Sequence, residues 1–454
     1  SRKAVCSSRN LVSSVMSSIN VVVVAISGDT ILSTSLESND FVSSLRGMVC
    51  QALDCCDCRL INGVLELIDT MPISIASGGC DMIVTAVLVG DPVRRIFATQ
   101  EAFAAVRASG SVTTWGSSKH GGDSTKVSED LCCNVTCISS TQGAFAALRR
   151  DGSVLTWGDA DKGGSTGDAA EHLQQGVQAI FSTTGAFAAL KNAGAVVTWG
   201  GCGYGGDSQA VSQALQADVT HIFSTASAFA ALKCDGSVVV WGNRASGGNM
   251  MSASEELNVP VRQIFSSHAA FAALMNDGSV VTWGSQRHGG SLGIKAEHVK
   301  GEVQQIFSTD CAFAALKFDG SVVTWGDRRF GGDSSKVGPH LRRGVLSITS
   351  TYGAFAALKE TGFVVTWGEE LPGAPGGHYH EALSRGVRKL FATLGAFAAL
   401  MIDGSVVTWG HRNMGGFLGS AAKLLRVGVV HIFSTHAAFA ALNVDGAVVT
   451  WGSP

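Results

Sequence analysis

Three short glycine patterns in this chain could carry chemistry. Residues 163–167 and 289–293 match the Gly-x-Ser-x-Gly pattern of serine hydrolases, and residues 201–206 match the Gly-x-Gly-x-x-Gly pattern of dinucleotide-binding proteins. Both patterns work only where a parallel strand turns into a helix, because that turn exposes the serine or cradles the phosphate. Here each pattern falls in a Gly-rich turn of an internal repeat. We therefore expect no catalytic residue.

Two groups of residues contain metal-ligand side chains. One is a cysteine cluster near the N-terminus, Cys50, Cys55, Cys56, Cys58 and Cys80, and the other is the pair His378 and His380. The cysteine cluster lacks the second well-spaced pair that closes a tetrahedral zinc site. The histidine pair has no carboxylate or thiol nearby to complete a ligand set. The sequence predicts no metal and no cofactor.

Basic and aromatic residues recur in one loop that follows a Trp-Gly pair. Basic groups beside exposed aromatic rings are typical of protein-binding surfaces, and solvated loop charges are the alternative explanation. We predict a partner-binding rim formed by Lys119, His120, Tyr204, Arg244, Arg287, His288, Arg328, Arg329, Phe330 and Arg412.

These loops belong to a repeat of 42 residues. Every Trp of the chain lies twelve residues after a Phe of the phrase Phe-Ala-Ala, and consecutive Trp residues are 42 apart. A constant period of this length indicates repeated units that bury their apolar faces against their neighbours. We therefore assign a structural role to Trp115, Trp157, Trp199, Trp241, Trp283, Trp325, Trp367, Trp409 and Trp451.

One copy, residues 303–344, shows what each repeat should form. Residues 303–308, 312–317 and 321–325 are β-rich runs bounded by turn residues, and a glycine stands in the second turn of all nine copies. A tight hairpin needs positive φ at that glycine. Residues 333–341 predict a short helix or helical turn, with an irregular fourth strand as the alternative.

Such a sheet is apolar on both faces, since Phe313 and Ala315 point one way and Ala314 and Leu316 the other. It must therefore be covered on both faces, which radial stacking of sheets achieves. We expect all nine Phe-Trp pairs in one continuous core. The ends of strands one and three lie on one rim, so the two variable loops should share a face.

The phrase Leu-Lys-x-Asp-Gly-Ser-Val-Val-Thr-Trp-Gly, with a Val-x-x-Ile strand before it and a Gly-rich turn after it, resembles the repeat of the regulator of chromosome condensation superfamily. That resemblance covers residues 93–454. It implies a mainly β fold, a β-propeller of eight or nine blades with three to four strands each. Family members include guanine nucleotide exchange factors, although no copy here carries the large insertion that such exchangers use.

The N-terminal region has a different pattern. Residues 1–18 form a tail, and residues 19–90 read as strand, turn, strand, helix, short strands and a closing strand. Phe41, Val42, Leu45, Val49 and Leu53 keep the spacing of one helix face. The order resembles the ubiquitin-like α+β β-grasp fold, which implies an adaptor. Conjugation is not expected, because Gly78-Gly79 precedes the last strand.

Composition limits the class of partner. The chain has 454 residues, 46% hydrophobic and 15% charged, and a formal net charge of −3. This charge gives no general attraction to nucleic acid or to an anionic membrane, and no apolar run is long enough to span a bilayer. Twelve cysteines without periodic placement favour a reducing compartment, cytoplasmic or nuclear.

These observations favour a non-catalytic scaffold or adaptor that binds protein partners through the loop rim. Two alternatives stay open. The first is guanine nucleotide exchange on a small GTPase, which a nucleotide-release assay tests. The second is recruitment of substrates in ubiquitin signalling, with a ubiquitin-pathway component as partner.

Overall fold

The computed structural model describes residues 18–25, 30–37, 40–52, 58–62, 65–67, 82–88, 91–251, 253–257, 259–369 and 383–453. The chain divides into two compact units. The first contains Ser1–Phe97, Phe103–Thr114 and Thr125–Thr136, and the second contains Ala98–Ala102, Trp115–Ser124 and Cys137–Pro454.

A five-stranded sheet forms the N-terminal part of the first unit. Its strands are β1 (Ser18–Ala25), β2 (Thr30–Glu37), β3 (Cys58–Asn62), β4 (Leu65–Glu66) and β5 (Met82–Leu88), in the order β2-β1-β5-β3-β4. Strands β1 and β5 are parallel, and the other paired strands are antiparallel. The strands agree with those expected from the sequence.

Helix α1 (Val42–Ala52) packs on this sheet. Val42, Leu45 and Val49 are fully buried and share a core with Val21 and Val84, as the helical spacing predicts.

The prediction for Phe41 is wrong. Phe41 precedes α1 and its side chain is 49% exposed. A residue outside the helix does not keep the helical phase, so its position in the periodic pattern does not place it in the core.

Nine three-stranded sheets follow, one for each 42-residue repeat, and we number the repeats 1 to 9. In every described sheet the middle strand lies between the first and third strands. The strands are β6 (Val93–Ala98), β7 (Ala102–Arg107) and β8 (Val112–Gly116); β9 (Val135–Ser140), β10 (Ala144–Arg149) and β11 (Val154–Gly158); β12 (Val177–Ser182), β13 (Ala186–Lys191) and β14 (Val196–Gly200); β15 (Val219–Ser224), β16 (Ala228–Lys233) and β17 (Val238–Gly242); β18 (Val261–Ser266), β19 (Ala270–Met275) and β20 (Val280–Gly284); β21 (Val303–Ser308), β22 (Ala312–Lys317) and β23 (Val322–Gly326); β24 (Val345–Ser350), β25 (Ala354–Lys359) and β26 (Val364–Gly368); β27 (Val387–Ala392), β28 (Ala396–Met401) and β29 (Val406–Gly410); β30 (Val429–Ser434), β31 (Ala438–Asn443) and β32 (Val448–Gly452).

Repeat 6 shows why the sequence folds in this register. Strands β22 and β23 are antiparallel, and Phe313 lies opposite Trp325. Gly320 closes their turn with φ of +73°, a backbone conformation that residues other than glycine rarely adopt. The first two strands have the predicted bounds, the third is shifted by one residue to Val322–Gly326, and the positive φ of Gly320 is as predicted.

From repeat 2 to repeat 9, successive sheets pack face to face. Ala314 and Leu316 on one face of repeat 6 share a buried hydrophobic cluster with Phe355, Ala357 and Trp367 of repeat 7. The opposite face of repeat 6, with Phe313 and Trp325, packs in the same way on repeat 5. The two faces separate as the period of two predicts.

Within each of repeats 2 to 9, the Phe and Trp rings stack with centroids 5.1 to 5.4 Å apart. The indole also ties neighbouring repeats together: Trp325 Nε1 donates to the carbonyl oxygen of Gly289 at 3.0 Å, and Trp367 Nε1 to that of Gly331 at 3.1 Å. A buried indole N–H needs such an acceptor.

The prediction that every Phe-Trp pair is buried is wrong for repeat 1. Trp115 is 43% exposed and Phe103 is 44% exposed, whereas the other eight Trp residues are 2% to 8% exposed. The surface that covers those eight indoles belongs to the preceding repeat. No 42-residue repeat precedes Trp115, and this explains the difference.

The segments after the third strands contain short helices rather than a fourth strand. Residues 335–341 of repeat 6 form a 3-10 helix whose Val337 and Leu341 are buried, which confirms the helical alternative. Helix α2 (Ala253–Glu256) lies in repeat 4. The 3-10 helices of the described residues are Ser118–His120, Thr125–Val127, Ala160–Lys162, Gly167–Leu173, Cys202–Tyr204, Gln209–Val211, Arg244–Ser246, Gln286–His288, Gly293–Val299, Arg328–Phe330, Ser335–Leu341, Arg412–Met414 and Gly419–Lys423.

The fold is thus mainly β, with repeated three-stranded antiparallel sheets. In the part of the chain that the structure describes, no helix has the length and apolarity to cross a membrane.

Candidate functional site

The loops that vary between repeats lie together because a conserved hydroxyl group holds them. In repeat 6, Thr309 follows the first strand, and its Oγ1 donates to the carbonyl oxygen of Phe330 at 2.9 Å. Thr309 Oγ1 also accepts from the backbone N–H of Ala312 at 3.1 Å. Phe330 ends the 3-10 turn that follows Trp-Gly, so Thr309 joins the two variable loops.

This bond recurs in seven repeats at distances of 2.8 to 2.9 Å. The pairs are Thr99 with His120, Thr141 with Lys162, Thr183 with Tyr204, Thr225 with Ser246, Ser267 with His288, Thr309 with Phe330, and Thr393 with Met414. We call the surface formed by these paired loops the loop rim. The expectation that both variable loops share a face is met.

A backbone ladder connects the loop rim from repeat to repeat. The N–H of His268 donates to the carbonyl oxygen of Asp310 at 2.9 Å, and the N–H of Asp310 donates to that of Tyr352 at 2.9 Å. Eight such bonds, 2.8 to 3.0 Å long, link residues 100, 142, 184, 226, 268, 310, 352, 394 and 436. Among the described residues, no backbone hydrogen bond returns from residue 436 to residue 100.

All ten residues predicted for partner binding lie in the 3-10 turns of the loop rim, but they do not form one patch. They are distributed over six repeats: Lys119 and His120 in repeat 1, Tyr204 in repeat 3, Arg244 in repeat 4, Arg287 and His288 in repeat 5, Arg328, Arg329 and Phe330 in repeat 6, and Arg412 in repeat 8. Whether they bind a partner stays a prediction.

Contacts in repeats 6 and 7 join two of the predicted residues, Arg329 and Phe330. The Arg329 guanidinium donates to both carboxylate oxygens of Asp327 at 3.3 and 3.1 Å, and it lies 5.9 Å from the centre of the Phe330 ring. Phe330 meets Tyr352 edge to face at 5.6 Å. Hydrogen bonding to Arg329 holds the pKa of Asp327 below its usual value.

Arg328 and Arg329 remain accessible, with side chains 83% and 74% exposed. Arg328 contacts Asp333 at 3.1 Å. Exposed ion pairs of this kind contribute little to stability, so these arginines can exchange their present partners for a ligand. Other rim residues are engaged too: Lys162 lies over the Tyr204 ring at 4.1 Å, and Arg412 over Phe417 at 4.5 Å.

A group with metal-ligand character lies where repeats 5 and 6 meet at the rim. The ligand atoms of His288, Asp310 and Cys311 all lie within 4.8 Å of one another. His268 Nδ1 is 3.4 Å from Asp310 Oδ1, and the two imidazole rings stack with centroids 5.6 Å apart. We call these four residues the His-Asp-Cys cluster.

Burial is the main cause of the shifted pKa values in the cluster. Burial, with the adjacent Asp310 carboxylate, raises the pKa of the Cys311 thiol to about 12. Burial also lowers the pKa of His288, and the neighbouring His268 adds to that effect. The pKa of Tyr352 is raised by burial and then by Asp310.

Sequence reasoning missed this cluster. His288 was predicted only as a rim residue, and His268, Asp310 and Cys311 were not among the predicted site residues. The signal was available, because His268 and Asp310 occupy the same position of consecutive repeats, 42 residues apart. Equivalent positions of stacked repeats become neighbours in space.

A polar groove of about 500 Å³ occupies another part of the rim, in repeats 1 to 4. It is lined by residues that follow the first strands, among them Thr141, Gln142, Thr183 and Thr184. Its lining offers hydroxyl and amide groups and no titratable side chain, so it suits hydrogen bonding rather than acid-base chemistry.

Several predicted groups lie elsewhere. The glycine patterns at 163–167, 201–206 and 289–293 fall in turns with 3-10 helices, not between a parallel strand and an α-helix. The side chains of the N-terminal cysteine cluster, the pair His378 and His380, and Gly78-Gly79 lie outside the described residues.

Comparison with known proteins gives structural neighbours only. No family model matches the chain, and no curated protein matches it. The solved structures that are similar include the ectodomain of the receptor kinase CR4 from Physcomitrella patens, at 16% identity and a TM-score of 0.33, covering 60% of this chain and 72% of that one.

Two further neighbours are a yeast protein and a human protein. Prp20p of Saccharomyces cerevisiae, studied for its binding to Gsp1p and histones, has 14% identity and a TM-score of 0.31, with 71% and 74% of the two chains covered. Human WBSCR16 has 15% identity and a TM-score of 0.32, with 82% and 89% covered. Values this low establish neither family nor function.

Proposed function

We propose that this chain is a non-catalytic interaction protein that binds a protein partner through the loop rim. One observation carries the proposal: Thr309 and its equivalents collect the variable loops of successive repeats on a single surface. The buried faces repeat with little change, and the variation is confined to loops that are displayed together. This division is typical of a rigid scaffold with a binding surface.

The surface around repeats 5 to 7 has the composition of a protein-binding site. Arg328 and Arg329 are exposed, and Phe330 and Tyr352 stand beside them. Arginine and aromatic side chains contribute most to binding energy at protein interfaces. A partner with acidic groups near apolar side chains fits this arrangement.

The experiment compares two triple variants in affinity capture followed by mass spectrometry. Arg287→Glu/Arg328→Glu/Arg329→Glu reverses charge on the rim. Arg150→Glu/Arg342→Glu/Arg343→Glu makes the same change next to the hairpin turns, at the opposite ends of the strands. Proteins captured by the wild type and by the second variant, but lost from the first, support the rim.

The affinity of one purified partner should then fall at least roughly tenfold in the rim variant, since each lost interface arginine costs about 1 to 2 kcal/mol. Equal affinities for the two variants would contradict the proposal. Thermal unfolding of both variants controls for loss of fold.

A role in ubiquitin signalling is a second candidate, and the N-terminal sheet favours it. The order β2-β1-β5-β3-β4, the parallel pair β1 and β5, and helix α1 between β2 and β3 are the features of a β-grasp domain. We infer a ubiquitin-like domain of the adaptor type. Binding of the full chain to a ubiquitin-binding protein, lost on substitution of the domain's surface but kept in the rim variant, would support it.

We also infer a propeller-like arrangement of the nine sheets. An interior sheet such as that of repeat 6 packs one face on the preceding repeat and the other on the following repeat, and this packing supports radial stacking. Small-angle X-ray scattering of the purified chain distinguishes a ring from an extended spiral.

A further inference from the structure

The repeats offer an internal comparison for the His-Asp-Cys cluster. The position of Cys311 is occupied in other repeats by small residues, such as Gly185, Ala269 and Ala437. The position of Asp310 carries neutral residues in most repeats, among them Thr184 and Leu394. The scaffold therefore forms without a thiol or a carboxylate at these positions, and packing does not require either group.

Hydrogen bonds and chain connectivity fix the backbone positions of the four residues. The rim ladder holds His268 and Asp310 through the N–H to carbonyl bond of 2.9 Å. Ser267 Oγ donates to the carbonyl oxygen of His288 at 2.8 Å and fixes the 3-10 turn 286–288. Cys311 follows Asp310 directly, and it is 8% exposed.

The donor atoms have separations that one metal ion can bridge. Cys311 Sγ lies 3.2 Å from Asp310 Oδ2, and His268 Nδ1 lies 3.4 Å from Asp310 Oδ1. Zinc binds nitrogen, oxygen and sulfur ligands at about 2.0 to 2.3 Å, so neighbouring ligands on one ion are about 3 to 4 Å apart. The ligand atoms of His288, Asp310 and Cys311 all lie within 4.8 Å of one another, and His268 reaches the group through its contact with Asp310.

His288 also has the supporting contact that metal-binding histidines use. Ser285 Oγ lies 2.8 Å from His288 Nδ1. A hydrogen bond at Nδ1 orients the ring and leaves Nε2 available to a metal. Asp310 has only 17% of its side chain exposed, whereas His268 has 53%, so an ion can enter from the His268 side.

We propose that His268, His288, Asp310 and Cys311 bind a divalent transition-metal ion of the zinc class. Two imidazoles, one carboxylate and one thiolate form a four-coordinate donor set of the kind zinc prefers, whereas calcium and magnesium require oxygen ligands. On binding, Cys311 releases its thiol proton to water and coordinates as thiolate. The site joins repeats 5 and 6 at the rim, and it does not depend on the proposed partner binding.

The test uses the purified full chain after treatment with a chelator. One equivalent of Co²⁺ should produce a thiolate-to-cobalt charge-transfer absorption together with the intense visible bands of a tetrahedral site, and Zn²⁺ should abolish both. Cys311→Ala should remove the charge-transfer absorption. This variant keeps the fold, because Ala269 and Ala437 occupy the equivalent position in other repeats.

His288→Gln and Asp310→Asn should each weaken Zn²⁺ binding at least about tenfold, since even supporting groups of metal sites have effects of this size. Cys202→Ser and His436→Gln are matched controls and should leave binding unchanged: Cys202 is an exposed rim thiol, and His436 occupies the position of His268 in repeat 9.

Two results would overturn the proposal. One is the absence of a charge-transfer absorption in the wild type. The other is an absorption that persists in Cys311→Ala, which would assign the metal to other cysteines of the chain.

Discussion

Interior and terminal repeats contain the same residues but bury them to different extents. Val303 and Ile306 of repeat 6 are 0% and 1% exposed, whereas the equivalent Val93 and Ile96 of repeat 1 are 47% and 59% exposed. In repeat 9, Phe433 is 56% exposed and Val448 is 62% exposed. A repeat therefore cannot bury its own faces, and its contribution to stability depends on its neighbours.

The largest expected difference between interior and terminal repeats is at the phenylalanine of the middle strand. Phe313→Ala removes a fully buried ring and should reduce the free energy of unfolding by about 3 to 5 kcal/mol. Phe103→Ala, the same change in repeat 1, removes a ring that is 44% exposed and should cost no more than about half as much.

Equilibrium unfolding in urea measures both variants. Equal losses for Phe313→Ala and Phe103→Ala would break the comparison, since they would mean that repeat 1 packs as tightly as repeat 6.

A smaller loss of stability is expected at the hairpin glycines. Alanine at two of them separates the cost of backbone strain from the cost of a steric contact. Gly320 and Gly446 have φ of +73° and +82°, so alanine at either position costs about 1 to 2 kcal/mol in strain. A Cβ at Gly320 would also lie 2.6 Å from the backbone nitrogen of Gly344, whereas a Cβ at Gly446 meets nothing within 4 Å.

We therefore expect Gly320→Ala to lower the melting temperature more than Gly446→Ala. Identical shifts in the two variants would show that strain alone decides the cost and that the backbone at Gly344 moves to accommodate the added Cβ.

The smallest effect concerns acid stability. In the interior turn of repeat 5, Asp277 Oδ1 accepts from the hydroxyl of Ser279 at 2.6 Å and from its N–H at 2.9 Å. In repeat 9 the equivalent Asp445 accepts the N–H of Ala447 at 3.0 Å. The Ser279 hydroxyl lowers the pKa of Asp277 below its ordinary value of 3.8.

A carboxyl group with a lowered pKa stabilises the fold above its ordinary pKa of 3.8, and this contribution is lost as the pH falls through the lowered value. Ser279→Ala should therefore raise the pKa of Asp277 toward 3.8 and make stability less sensitive to pH below that value. Carboxyl NMR titration measures the shift. The control is Ser212→Ala, which removes the hydroxyl of an exposed serine in repeat 3. An unchanged titration would show that the N–H alone sets this pKa.

Much of the repeat could be predicted because its cause is local. Alternation along β22 separates Phe313 from Leu316, and the twelve-residue spacing across the hairpin turn places each Trp opposite its Phe. The turn at Gly320 needs positive φ wherever it occurs. These features depend on strand geometry and on nearby residues.

The candidate site was predicted less completely because its members are distant in sequence. Arg328, Arg329 and Phe330 are consecutive and were predicted together. His268, His288, Asp310 and Cys311 come from two repeats. The 42-residue period makes His268 and Asp310 neighbours, but only the structure shows that His288 approaches Asp310 and Cys311.

The sequence by itself determined the strands, their two faces, the turn glycines and the side on which the variable loops lie, because these follow from periods of two and of 42 residues. Only the tertiary structure decided that Trp115 is exposed while Trp325 is buried, and that His288 meets Cys311. Burial and side-chain clusters depend on which surface covers a residue. That surface belongs to a neighbouring repeat, so it cannot be predicted from the local sequence pattern around the residue.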